Sequence, residues 1–133
     1  MLNAMELIGF GAGGKSPAVL TYVSSTTSNT NTSTYTFTAQ SIGTAAADRY
    51  VVVCAYGDGS GTPTISSITV GGVSMDSVVS LGTAARITGI YILNVTSGTT
   101  ADIVVTYSGS QNRSGIAVYN LNNLTSATAT HTN

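Results

Sequence analysis

Short runs of β-branched and aromatic residues recur along this chain, separated by clusters of glycine, serine and asparagine. That alternation limits the fold more than any other feature. β-Branched side chains are stiff on a helix, and the 15 glycines interrupt most windows long enough to form one. The one alanine-rich stretch, residues 44–48, is enough for a single turn.

Strands are read from period-2 patterning and from the turn residues between runs. Residues 19–23 form a β-branched run, and residues 24–33 carry no apolar side chain and read as a loop. Residues 34–38 alternate threonine with Tyr35 and Phe37, the signature of a strand with one buried face. Residues 49–56 are too continuously apolar for that, and predict a central strand covered on both faces. After the turn-rich segment 57–63, residues 65–70 and 73–75 flank Gly71 and Gly72, a pair that supplies the positive φ of a tight hairpin. Further strands are expected over 86–95, 102–107 and 113–121. About eight short strands predict an all-β fold, a β-sandwich of jelly-roll type, with a small closed barrel as the alternative. The sandwich is expected over residues 18–124. A flexible Gly-rich arm over 1–17 precedes it, and a polar tail over 125–133 follows, continuing into further sequence if the chain is part of a longer protein.

Composition narrows the function. Hydrophobic residues make up 42%, enough for a core, whereas charged residues are only 7% against about 25% in ordinary globular proteins. A polar but nearly uncharged surface suits a protein held in an assembly, and an exported β-rich domain would share the bias. Lys15, Arg49, Arg86 and Arg113 are scattered along the sequence. They offer neither the basic stripe that nucleic acid requires nor a polybasic membrane patch. Cys54, the single cysteine, lies within the apolar run and is expected to be a buried small hydrophobe. The opening residues lack a basic leader with a long apolar core, and no apolar stretch approaches the roughly 20 residues of a spanning helix. The expected site of synthesis is a cytoplasm.

Residues 9–16 fit the phosphate-cradling pattern G-x-x-x-x-G-K-[ST] at every position. That loop works at the N-terminus of a helix, and here Pro17 and the β-prone residues 19–23 follow. The expected reading is a glycine-rich arm, with no cofactor. His131, the only histidine, lies in the Ser/Thr-rich tail, a poor setting for a general base that must be held rigidly. Glu6, Asp48, Asp58, Asp76 and Asp102 are dispersed, and Asp48, Asp58 and Asp102 read as turn or strand-end residues. No catalytic residue is therefore assigned. One cysteine and one histidine are too few for a zinc site, and Asp58 alone is too few carboxylates for calcium, so no metal is assigned either. Tyr22, Tyr35, Phe37, Tyr50, Tyr56, Tyr91, Tyr107 and Tyr119 mostly fall inside strand patterns and are expected to pack there. Any left exposed would stack on sugars.

Residues 41–45 (SIGTA), 48–53 (DRYVVV), 67–74 (SITVGGVS), 98–107 (GTTADIVVTY) and 113–119 (RSGIAVY) resemble a recurrent group of β-sandwich virion proteins of tailed bacteriophages. The resemblance covers 41–124 and implies a non-enzymatic structural component of the tail, tail-fibre or head-decoration kind. It assigns no functional residue. The expected partners are other virion proteins (capsid, portal or tail) and further copies of this chain, a trimer being the favoured closed form, without nucleic acid or membrane. Leu7, Ile8 and Phe10 on the arm are the expected assembly contacts. A carbohydrate-binding module for host adsorption, taking a host glycan, is the alternative.

Overall fold

In the computed structural model, which describes residues 16–124, the chain forms eight strands and no helix: β1 (Val19–Ser28), β2 (Thr32–Ser41), β3 (Tyr50–Gly59), β4 (Ile65–Val70), β5 (Val73–Ser74), β6 (Asp76–Thr83), β7 (Arg86–Asn94) and β8 (Thr100–Asn122). All pairings are antiparallel. The organising element is β8, 23 residues long. From Thr100 to Tyr107 it lies between β2 and β4, and from Gln111 onward it lies chiefly between β1 and β3. One hydrogen-bonded sheet thus folds over itself into a sandwich. Its larger layer runs β1-β8-β3-β7-β6 and its smaller layer β2-β8-β4-β5.

Alternate residues of both layers meet in one core. Val51, Val53 and Ala55 of β3, Ile87 and Tyr91 of β7, and Ile116 and Val118 of β8 come from the larger layer. Tyr35 and Phe37 of β2, Ile68 and Val70 of β4, and Ile103, Val105 and Tyr107 of β8 face them from the smaller one. This is the two-residue strand period expressed as burial.

The number of strands matches the sequence reading, but their identities differ in three places. Residues 24–28, expected as loop, continue β1, where their backbone pairs with the second half of β8. Asp76–Thr83 was not recognised because every one of its residues is exposed, so no apolar period marks it. The runs 102–107 and 113–121 belong to a single strand. The turn residues between them, Ser108, Gly109 and Ser110, bend β8 without ending it. The Gly71–Gly72 hairpin forms as expected, with φ of 58° and 82°.

Buried polar groups fasten the bend. The Tyr107 hydroxyl donates to the Tyr56 carbonyl at 2.7 Å and lies 2.6 Å from Ser114 Oγ; burial pushes its pKa up to about 12. The Tyr35 hydroxyl donates to the Gln111 carbonyl at 2.7 Å, and Gln111 Nε2 to the Gly109 carbonyl at 2.8 Å.

At the other end of the larger layer, Arg49 is wholly buried. Its Nε donates to Val95 O at 2.7 Å, Nη2 to Ser97 O at 2.7 Å, and Nη1 to Gly43 O at 2.8 Å and Ile42 O at 3.3 Å. No carboxylate pairs with it among the described residues. Carbonyl dipoles satisfy the cation instead, and the guanidinium ties the segments before β3 and after β7 into one unit.

Candidate functional site

The two outer faces of the sandwich differ in chemistry. On the smaller layer, Thr34 stands opposite Thr106, and Thr106 opposite Ser67; Thr36 and Thr69 flank Val104 in the next outward row. That face is a hydroxyl array around one aliphatic side chain. On the larger layer, successive cross-strand rows read Leu20, Leu121, Tyr50 and Asn94; then Tyr22, Tyr119, Val52, Ile92 and Asp76; then Ser25, Ala117, Cys54, Ile90 and Val79; then Thr27, Gly115, Tyr56, Thr88 and Leu81. Directly opposed residues share a face, so this outer surface is largely apolar and aromatic, and no described strand lies over it.

This corrects two expectations about β3. The strand is central, but only one of its faces is covered by the opposite layer. Its continuous apolar run arises because the outward residues Tyr50, Val52 and Cys54 are sheltered sideways by their row neighbours, while Tyr56 further along stays exposed. Val52, between Tyr119 and Ile92, keeps only 8% exposure. Cys54 is accordingly not a core residue. It is half-buried on the outer face beside Ala117, and desolvation raises the pKa of its thiol.

The aromatic side chains divide between these environments. Tyr35, Phe37, Tyr91 and Tyr107 lie in the core, whereas Tyr22, Tyr50, Tyr56 and Tyr119 belong to the outer face. Tyr22 and Tyr119 pack edge to face, with ring centroids 5.6 Å apart. Beyond them the sheet end carries Val19 and Leu20, both exposed. This is the end at which the chain arrives from residues 1–15, and it is held by Asp48. The Asp48 carboxylate accepts the Asn123 backbone N–H at 2.9 Å, and that bond holds its pKa below the ordinary 3.8. Asn123 Nδ2 in turn donates to the Pro17 carbonyl at 3.2 Å.

The opposite end of the same face carries a cavity of about 440 Å³. In the last row Asp58 stands directly opposite Arg86 on β7 and Arg113 on β8. Arg113 Nε lies 3.3 Å from Asp58 Oδ2. Tyr56, Leu81 and Thr88 from the row above complete the walls. Two of the four cations scattered in sequence therefore come together in the fold. Arg49 is buried, Lys15 is outside the described residues, and Arg86 and Arg113 share one cavity. Sequence distance concealed this pair, because register alone brings residues 86 and 113 to either side of residue 58.

The other candidates are placed as follows. Leu7, Ile8, Phe10 and His131 lie outside the described residues. So do residues 9–15 of the phosphate-loop pattern, but Ser16 to Ala18 lead directly into β1, so a strand follows where that loop needs a helix. Asp102 accepts the Ala39 N–H at 2.8 Å and supports the irregular end of β2. Among the described residues no three His, Cys, Asp or Glu side chains come together as metal ligands. No family model, curated protein or solved structure matches the chain.

Proposed function

We propose that this chain is a non-enzymatic structural component of a bacteriophage particle, of tail, fibre or decoration type, that docks at its N-terminal end and projects the sandwich. The resemblance over residues 41–124 supplies the particle. The observation that carries the docking is the exposed apolar group at one end of the larger layer: Val19, Leu20 and Tyr22 are 48%, 59% and 56% exposed. They adjoin the point where residues 1–17, with Leu7, Ile8 and Phe10, join the fold. Exposed apolar side chains grouped on one face, here Leu20 and Tyr22 beside Tyr119, mark an interaction site. Burying it with the arm offsets the entropy lost when the arm orders on a neighbour.

The test is mass spectrometry of purified particles carrying the wild-type chain, a chain lacking residues 1–14, and the variant Leu20→Asp. The reading expects a fixed copy number for the wild type. Both altered chains should lose incorporation while keeping the β-sheet circular dichroism of the parent. Full incorporation of both, or absence of the wild type from particles, sinks it.

A further inference from the structure

The cavity at the far end of the larger layer has a composition that docking does not require. We infer that it binds an acidic saccharide, with a carboxylate or sulfate held by Arg86 and Arg113 and the sugar ring stacked on Tyr56. It is the one place among the described residues where exposed cations occur, and both stand in the same row. A planar guanidinium presents paired N–H donors that match the oxygens of a carboxylate or sulfate. Arg113 meets Asp58 through Nε, which leaves its terminal nitrogens for a ligand. Arg86 has no ion-pair partner among the described residues. Two guanidinium groups against one carboxylate leave the cavity net positive in a chain whose overall charge is −1.

The remaining wall selects the body of the ligand. Tyr56 is 39% exposed, and its ring lies over Gly115. A Cβ on that glycine would come within 2.3 Å of the ring. The ring is therefore packed against the β8 backbone while it lines the cavity. An aromatic face held in this way stacks against the C–H face of a pyranose. Leu81, 67% exposed, adds apolar contact beside it. The hydroxyls of Tyr56 and Thr83 make no hydrogen bond among the described residues, so they can pair with sugar hydroxyls. The volume falls within the range of about 300–1,000 Å³ typical of small-ligand sites. Nucleic acid is a poor fit, since two cations cannot neutralise a run of phosphates. The site also lies about 30 Å from Pro17, some nine residues along β8 at roughly 3.3 Å each, so a chain docked at its N-terminal end leaves it free.

The full chain is titrated by NMR with N-acetylneuraminic acid, glucuronate, galactose 6-sulfate, glucose and an acetylated tripeptide with a free C-terminal carboxylate. Backbone signals of residues 56–58, 81–88 and 113 are followed. At least one acidic sugar should shift these signals and bind about tenfold or more tighter than glucose, which corresponds to about 1.4 kcal/mol. The carboxylated and sulfated arms identify the preferred anion. Arg86→Gln and Tyr56→Leu should each weaken binding about tenfold with unchanged circular dichroism, and binding should fall as salt rises. No shift with any acidic sugar at about 10 mM, roughly tenfold above a millimolar dissociation constant, overturns the inference. Equal affinity for glucose, tighter binding of the tripeptide, or binding unaffected by both substitutions overturns it as well.

Discussion

Replacing Arg49 by methionine removes a buried cation and leaves its carbonyl partners, Ile42, Gly43, Val95 and Ser97, without their donor. Hydrogen bonds from a charged donor contribute about 1.5–3 kcal/mol each. The three short ones, at 2.7, 2.7 and 2.8 Å, therefore represent a gross loss of roughly 4.5–9 kcal/mol. Relief of the cation's desolvation returns several kcal/mol, and Ser97, exposed at the surface, leaves its carbonyl able to turn to water. The net expectation is a loss of about 3–5 kcal/mol, what remains of the gross loss after that return. For a domain near 100 residues that lowers Tm by roughly 15–30 °C. Arg49→Lys should fall between, losing about 1–3 kcal/mol, because one ammonium cannot fork to both segments. The assay is urea unfolding followed by far-UV circular dichroism, with the slope against denaturant as a control for a changed unfolded state. A methionine variant within about 1 kcal/mol of wild type would refute the view that this guanidinium holds the two segments together.

Three further outcomes are expected. Cys54, half-buried on the outer face with its thiol pKa raised by desolvation, should react with a small thiol reagent in the native protein, more slowly than in urea; complete protection until unfolding would place it in the core after all. The Asp48–Asn123 bond is made by the carboxylate, and the folded pKa lies below the ordinary 3.8, so its contribution is present above that value and lost as pH falls through the folded one. An NMR titration of Asp48 should give a midpoint under 3.8 and a parallel shift of the Asn123 amide; a midpoint at or above it contradicts the contact. Finally, β6 is an edge strand with every residue exposed; its charge, Asp76, and its bulge, between Ser77 and Val79, both lie at its start, so residues 79–83 lack the usual deterrents to edge pairing. Light scattering should find a defined oligomer, a trimer being favoured, that Val78→Lys shifts toward monomer; a wild-type monomer at micromolar concentration rules this edge out as the contact.

What the sequence determined was local. Threonine alternating with Tyr35 and Phe37 fixes β2 as a strand with one buried face, because side chains in a strand alternate by necessity. Gly71 and Gly72 fix a hairpin because their φ values, 58° and 82°, disfavour residues with a Cβ. The all-β class follows from a composition that gives no helix room to form.

What only the tertiary structure decided was which residues meet. A bend and a turn look alike in sequence, so Ser108–Gly109–Ser110 gave no sign that β8 would serve both layers. Exposed β6 carried no apolar period to read. β3 read as covered on both faces, because apolar residues in lateral rows shelter one another as a second layer would. Arg49 and Arg113 are the same residue type in the same sparse pattern. Yet one is sealed among backbone carbonyls, and the other stands beside Arg86 and Asp58 at the rim of a cavity. The difference comes from strand register, which pairs residues far apart in the chain, and register is settled by packing the whole core at once.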